Sequence, residues 1–447
     1  MQGTDSGRAT DWPRPARAWY TVSVLMLGYV VAFVDRQVLS LLVEPIKTTL
    51  GLKDSQLGLL QGFAFATFYT LLGLPIARWV DHSNRRNLIA MGVTLWTVMT
   101  ATCGLARNYW ELLLARCGVG VGEATLAPAA ISMISDSFPP ERRALGVGVY
   151  ISAGSMGGGL AFLIGGAAIS AVASWDLAGI PVIERLAAWQ IVFLLVGLPG
   201  LLVALLFLTL QEPARKERKV VEAQDSAGIF SADLREFLQR HRALLLRHFV
   251  GLGFHSLISY ALLAWVPTYF IRHHGWSPAS FGLVFGFVFL FSGALGAITG
   301  GLVATRMCGA GRQDANLRTA AIGVSLAAPV CLSICLVESD WVAMGLLGLG
   351  MFLTTFPGGA SVAAFQEITP NELRGRVTAI YYLAINLFGA GLGAYAVGFA
   401  TDYVFRDDAA IGSSLILVIA IAGPLGIVLV WAALPYFQRA LERAKPV

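Results

Sequence analysis

Apolar runs long enough to cross a lipid bilayer recur from one end of this chain to the other. A spanning helix needs about 20 mainly apolar residues, and within a bilayer each backbone polar group must find its partner inside the protein, which favours helix. Twelve such runs are legible, at about 18–43, 56–79, 88–106, 110–135, 144–172, 188–210, 244–271, 277–304, 317–337, 341–366, 376–404 and 413–436. Of the 447 residues, 56% are hydrophobic and only 13% charged, about half the charged share of an ordinary soluble domain. Forty-nine glycines lie among these runs, as close packing between membrane helices requires. The N-terminal segment is basic and then apolar, like a secretory leader. Its apolar run is too long and no small-residue cleavage site follows, so a retained first helix is expected. The sequence predicts an all-α integral membrane protein.

The polar stretch 211–243 separates six spans from six. The expected organisation is therefore an N-terminal bundle over 1–210, a linker over 211–243 and a C-terminal bundle over 244–447. Charge supports the count. Of 32 Lys and Arg residues, 24 fall in the termini, the linker and alternate loops, six in the other loops and two inside spans. Positive charge is retained on the cytoplasmic side. Both termini and the linker are thus expected in the cytoplasm, in a multi-pass protein of the cytoplasmic membrane. This distribution accounts for the net charge of +5 without a nucleic-acid partner. Residues 231–247 are expected either as a basic amphipathic helix on the membrane surface or as a solvated tether. The five cysteines have neither disulfide nor metal spacing and read as packing residues.

"FPPERRALGVGVY" at 138–150 aligns without gaps with "TPNELRGRVTAIY" at 369–381. Pro139, Glu141, Arg143 and Tyr150 match Pro370, Glu372, Arg374 and Tyr381. Two halves of one topology imply a pseudo-two-fold axis along the membrane normal, about which they can rock around a central site.

These motifs resemble the major facilitator superfamily over nearly the whole length. "ARWVDHSNRR" is similar to its signature loop, with Asp81, Arg85 and Arg86 in place, but with Ala77 and Asn84 where glycines are usual. "RCGVGVG" supplies Arg116, Gly120 and Gly122 of a second pattern, and "GSMGGG" is a loose version of a glycine-rich gating motif. The second-half copy of the signature loop has Thr305 in place of the acid. "FVDRQVLS", "RCGVGVGEATLAP" and "FPPERRALGVGVYISAGSMGGGLA" together resemble the spinster branch. Its eukaryotic members export sphingosine-1-phosphate or lysophospholipids. The short tails and compact linker suggest a bacterial member.

Charges inside the spans are costly, about 2.5–3.5 kcal/mol each at the centre on an insertion scale, and mark ion or substrate pathways. At 1.5 Å per residue, Asp35 and Arg116 are expected at similar depth near the outer face. Glu123, seven residues beyond Arg116, is expected near mid-membrane, with no clear partner at its own level. The resemblance places the helices carrying them on the N-half cavity. Asp35 and Glu123 are the expected protonation sites, with Arg116 modulating them. The competing reading is a buried ion pair that fixes helix register. Arg36 cannot face Asp35, because neighbours diverge by about 100° around a helix; it is expected to snorkel outward or to reach another helix. The second half carries no acid near mid-membrane. Its cavity candidates are Tyr260, Trp265, Tyr381, Tyr382 and Asn386, and His255 reads chiefly as a satisfied interfacial histidine. Asp81, Arg85, Arg86, Glu141, Arg143, Glu372 and Arg374 are expected to form a cytoplasmic gate between the halves, or to serve only as topology determinants.

No phosphate-cradling loop or zinc motif is present, so neither a cofactor nor a metal is expected, and no enzyme activity. The expected function is secondary transport of a lipid-like amphiphile with protons, by a monomer in the bilayer. Export of hydrophobic drugs or a small metabolite is the alternative, and a non-transporting membrane scaffold or enzyme the second.

Overall fold

The computed structural model describes residues 12–175, 183–215, 232–370 and 372–444. The first span is α1 (Pro15–Leu41), followed by the short α2 (Val43–Leu50). The second runs through α3 (Asp54–Gly58), a wide π-type turn at Leu59–Phe63, and α4 (Ala64–His82). Next come α5 (Arg85–Cys103), then α6 (Tyr109–Glu123) with α7 (Leu126–Ser137) as one broken span. The first half ends with α8 (Pro140–Ser174) and the broken span α9 (Ala188–Gly197) with α10 (Pro199–Leu208).

A short α11 (Ala232–Arg240) precedes α12 (Arg242–His274), α13 (Pro278–Gly309) and α14 (Ala315–Ser333). The last three spans are α15 (Asp340–Thr355) with α16 (Gly358–Ile368), α17 (Arg374–Asn386) with α18 (Gly393–Phe399), and α19 (Ile411–Ala444). Each of the twelve predicted spans is helical. Ten are long and apolar enough to cross a membrane by length and composition alone; the others are α3–α4 and α5.

Local chemistry sets several boundaries. Asn84, where the resemblance leads one to expect glycine, caps α5: its side-chain oxygen accepts from the Asn87 N–H at 3.0 Å. Asn108 does the same for α6 through the Glu111 N–H, also at 3.0 Å. Gly275, at φ +69°, ends α12 in the left-handed conformation that lacks a Cβ penalty.

Within the first half α1 lies along α8, and α5 packs on α6 and α10; within the second, α12 lies along α19. Between the halves α8 crosses α13, and α3 crosses α18. The α8–α13 crossing is built from small residues: a Cβ added to Gly159 would stand 2.7 Å from the Gly286 carbonyl oxygen. Gly159 lies about 28 Å along α8, and Gly286 near the start of α13. These contacts are thus nearer the face opposite the one holding the chain ends.

The helix α11 is amphipathic, as one reading of 231–247 expected, but its apolar side does not lie on lipid. Leu234 and Phe237 are buried with Leu244, Leu245, Ile368 and Leu373 of the second half. The apolar side chains of α12, α16 and the start of α17 supply the cover that the amphipathic pattern requires. The linker residues 216–231 lie outside the described residues.

Candidate functional site

Asp35 and Arg36 are neighbours in α1, yet the helix sends them to different places. Arg36 reaches Glu123, the last residue of α6 before the span breaks. Its Nε donates to Glu123 Oε2 at 2.9 Å, and its Nη2 to the same oxygen. Glu123 is almost wholly enclosed, whereas the Arg36 side chain is 18% exposed. The guanidinium also lies over the rings of Phe33, at 5.3 Å, and Tyr69, at 5.6 Å, a favourable arrangement for a cation against ring quadrupoles. Glu123 therefore has a close partner, contrary to expectation, and of the two alternatives for Arg36, snorkelling outward or reaching another helix, the structure has the second. The pairing of Arg36 with Glu123 depends on how α1 and α6 are rotated toward each other, which spacing along one helix does not give.

Asp35 is fully buried, and its two carboxylate oxygens have no hydrogen-bond partner among the described residues. Arg116 does meet Asp35, but through the backbone: its Nη1 donates to the Asp35 carbonyl oxygen at 3.0 Å. Arg116 Nε and Nη2 are likewise buried without hydrogen-bond partners among the described residues, and the Thr100 hydroxyl lies beside the Asp35 carboxylate. The expected carboxylate–guanidinium pair is thus replaced by a looser polar cluster, because Arg116 is held against the backbone of α1.

Around Arg36 stands a group of rings that single residues in the sequence did not announce. Tyr29 stacks on Tyr150 at 5.3 Å and meets Phe33 edge-on at 5.2 Å. Gly157 of the "GSMGGG" stretch makes the room: a Cβ there would stand 3.1 Å from that of Phe33. Tyr260 of α12, in the other half, lies within electrostatic range of Tyr29 and Arg36. Glycines in α8 beside aromatics at 29 and 33 in α1 were the available signal.

The other cavity candidates divide. Tyr382 is exposed, and Asn386 and Tyr260 are partly so. Trp265 is fully buried, with its indole N–H donating to the Ala394 carbonyl at 2.7 Å. Tyr381 is buried against Phe249 and Phe365, with its hydroxyl on Ser361. Both are packing residues rather than cavity walls, since their rings fill the contacts of α12 with α17 and α18. His255 bonds the Thr354 carbonyl at 2.9 Å and is buried, so it sits within the bundle rather than at an interface.

At the face holding the chain ends, Arg85 is buried and donates to Asp136, Ser132, Glu212 and the Pro213 carbonyl. The Arg86 backbone N–H donates to Glu212 at 3.0 Å. Arg374 donates to the Gln366 and Thr369 carbonyls, both at 3.2 Å. The Arg85 and Arg86 bonds stay within the first half and the start of the linker and the Arg374 bonds within the second half, so none of these bonds joins the halves. Glu141 and Glu372 are exposed, and Arg143 is partly so. The side chain of Asp81 lies outside the described residues. Asp136 and Glu212 join this network without having been predicted, as each reads in sequence as an ordinary interfacial acid.

The opposite face carries ion pairs across the halves. Arg272 at the end of α12 forks onto Asp54 at 2.6 and 2.9 Å and reaches Glu44 at 2.6 Å. Lys47 joins Asp54 at 2.8 Å and Asp408 at 2.6 Å. The carboxylate of Asp402, at the end of the eleventh span, accepts from the backbone N–H groups of Asp54 and Ser55 at 3.2 and 2.6 Å. Burial pushes the Asp54 carboxyl up, but bonds from Arg272 and Lys47 outweigh it and hold the group below its ordinary value.

Comparison with known proteins decides the family. Residues 25–394 match the model of the Major Facilitator Superfamily. The chain is a member of that superfamily. As such it is a multi-pass membrane transporter, not an enzyme. It is similar to a Major Facilitator efflux pump of Mycolicibacterium smegmatis, at 27% identity over 96% of each chain. It also resembles the mouse sphingosine-1-phosphate transporter SPNS2, at 26% identity over 86% of this chain and 69% of that one. Among solved structures it is similar to a bacterial homologue of the human lysosomal transporter Spinster, in an inward-facing and occupied conformation. There the TM-score is 0.76, at 28% identity, over 97% of this chain and 98% of that one. The spinster-type resemblance read from motifs is thereby supported along the chain.

Proposed function

We propose that this transporter moves a lipid-like amphiphile with protons, by alternating access of residues 1–210 against 244–447 about the 211–243 linker. On this reading both termini face the cytoplasm, each chain works alone, and the halves are closed on the outer side and parted toward the cytoplasm. Two observations support the direction of opening: the ion pairs between halves lie opposite the chain ends, and the solved spinster homologue is inward-facing. The observation that carries proton coupling is the pair of buried acids in unequal settings. Glu123 is held by Arg36, while Asp35, whose side chain leaves α1 about 100° around the helix from that of Arg36, is enclosed without a hydrogen-bonded cation on its carboxylate. An unpaired buried charge is costly, so a conformational change that alters either acid's surroundings alters its proton affinity, which links proton binding to state. Tyr260, Tyr382 and Asn386 supply the less charged wall that an aliphatic tail would meet.

The test is flux of a fluorescent lysophospholipid and a sphingoid phosphate from liposomes, with and without a pH gradient, for wild type, Asp35→Asn and Glu123→Gln. Flux that responds to the gradient in wild type only is expected. Equal flux in all three proteins would reduce the acids to devices of helix register. Failure to move either lipid would favour a drug substrate, as in the mycobacterial efflux pump.

A further inference from the structure

On the side of the chain ends, α11, the turn between α16 and α17 and the last residues of α19 line a cavity of about 320 Å³, within the size range of small-molecule sites. Along α11 the acids Asp233 and Glu236 come first, and the bases Arg240 and His241 follow. Asp233 and Arg240 are separated by about 10 Å along the helix. Phe237 and Leu373, both buried, give the cavity an apolar floor. Arg443, near the end of α19, joins the basic pole, so that it and Arg240 both lie within electrostatic range of His241.

Three basic side chains thus gather without a counter-charge. Neither arginine forms an ion pair with a described residue, although Glu236 stands one turn from Arg240. Partial burial, and then the two guanidinium groups, hold the His241 imidazole below its ordinary value. The height of this pole limits which anion can reach it. Arg443 lies seven residues beyond the expected end of the last span at 436, about 10 Å along α19. The headgroup layer of a bilayer is only about 5–8 Å deep on each side. The basic pole therefore stands in water, beyond the lipid phosphates.

We infer that this cavity binds a soluble phosphate monoester with a hydroxyl-bearing body, of the nucleoside monophosphate class, which fastens the linker helix α11 to the second half. The phosphate supplies the missing counter-charge, and its oxygens accept from the guanidinium groups of Arg240 and Arg443. Asp233 and Glu236 accept from the sugar hydroxyls at the other pole, and Phe237 and Leu373 lie beneath the body. Inorganic phosphate would leave the acidic pole unused, and a nucleoside without phosphate would leave the bases uncompensated. Because the linker connects the two halves, a ligand that fixes α11 restrains their relative motion, whatever the cargo.

The full chain in phosphatidylcholine nanodiscs tests this by equilibrium dialysis against labelled AMP, with inorganic phosphate and adenosine as competitors. AMP is expected to bind, and each competitor to displace it at least ~10-fold less effectively than unlabelled AMP. Bound AMP should also slow hydrogen exchange of the backbone amides of 232–240. Arg240→Gln and Arg443→Gln should each weaken binding at least ~10-fold. Arg235→Gln removes the same charge from an exposed position of α11 outside the cavity, and should leave binding unchanged. Absence of AMP binding in the wild type, which needs no variant to fold, would overturn the assignment, as would an equal loss in the Arg235→Gln variant. Abolition of AMP binding on adding an anionic phospholipid to the nanodiscs would overturn it too, and give the basic pole to a lipid headgroup.

Discussion

Arg85 illustrates how one residue can hold an entire membrane face. It is fully buried and satisfies two acids, a hydroxyl and a carbonyl drawn from α7 and the start of the linker. Removing its charge takes the guanidinium from Asp136 and Glu212, which are 13% and 25% exposed, so water compensates only in part, while Glu212 keeps the Arg86 backbone N–H. Arg85→Gln is expected to cost about 2–3 kcal/mol of stability, read as a lower thermal midpoint in detergent. Arg85→Lys should recover little, since an ammonium cannot reproduce the planar fork. Asp35 and Arg36 make the complementary point. Adjacent in sequence but about 100° apart around α1, they serve two clusters.

At the scale of elements, the glycines of α8 do two jobs on two sides of one helix. Gly157 admits the Phe33 ring from α1, while Gly159 and Gly166 let α13 approach through Gly286 and Gly282. Gly159→Leu would place its side chain against the Leu290 and Gly286 backbone, where no flexible tip can yield. Overpacking of this kind costs about 1–3 kcal/mol. We expect lower thermal stability and a lasting separation of α8 from α13, seen as a longer spin-label distance between the two helices. The amphipathic α11 shows the reverse case. Its periodic pattern was readable, but whether lipid or protein would cover Leu234 and Phe237 was not.

For the molecule as a whole, the cross-half ion pairs opposite the chain ends are the contacts that alternating access would have to break. Asp54 is central, because it takes a forked Arg272 and Lys47 at once and its backbone is capped by Asp402. Asp54→Asn should increase the distance between spin labels at Thr49 and Arg406 in a cysteine-free background. The sign of its pH dependence follows from the carboxyl being held below its ordinary value. Such a group contributes stability above its ordinary pKa and loses it only as pH falls through the lowered one. With Asp35→Asn and Glu123→Gln in place, that distance is therefore expected to stay constant from pH 8 to pH 5. A change across that range would assign pH sensing to this outer cluster.

Twelve helices, their alternation of charge and the doubled motif at 138–150 and 369–381 were legible in sequence, because the bilayer imposes length and polarity one segment at a time. The acids and bases within the spans were legible as residues for the same reason, each being too costly to be incidental. Their partners were not. Glu123 with Arg36, Arg116 on a backbone carbonyl, Trp265 and Tyr381 as packing, and Arg272 across to Asp54 all depend on helix rotation and on which spans touch. Those are fixed only when side chains from distant segments compete for the same space.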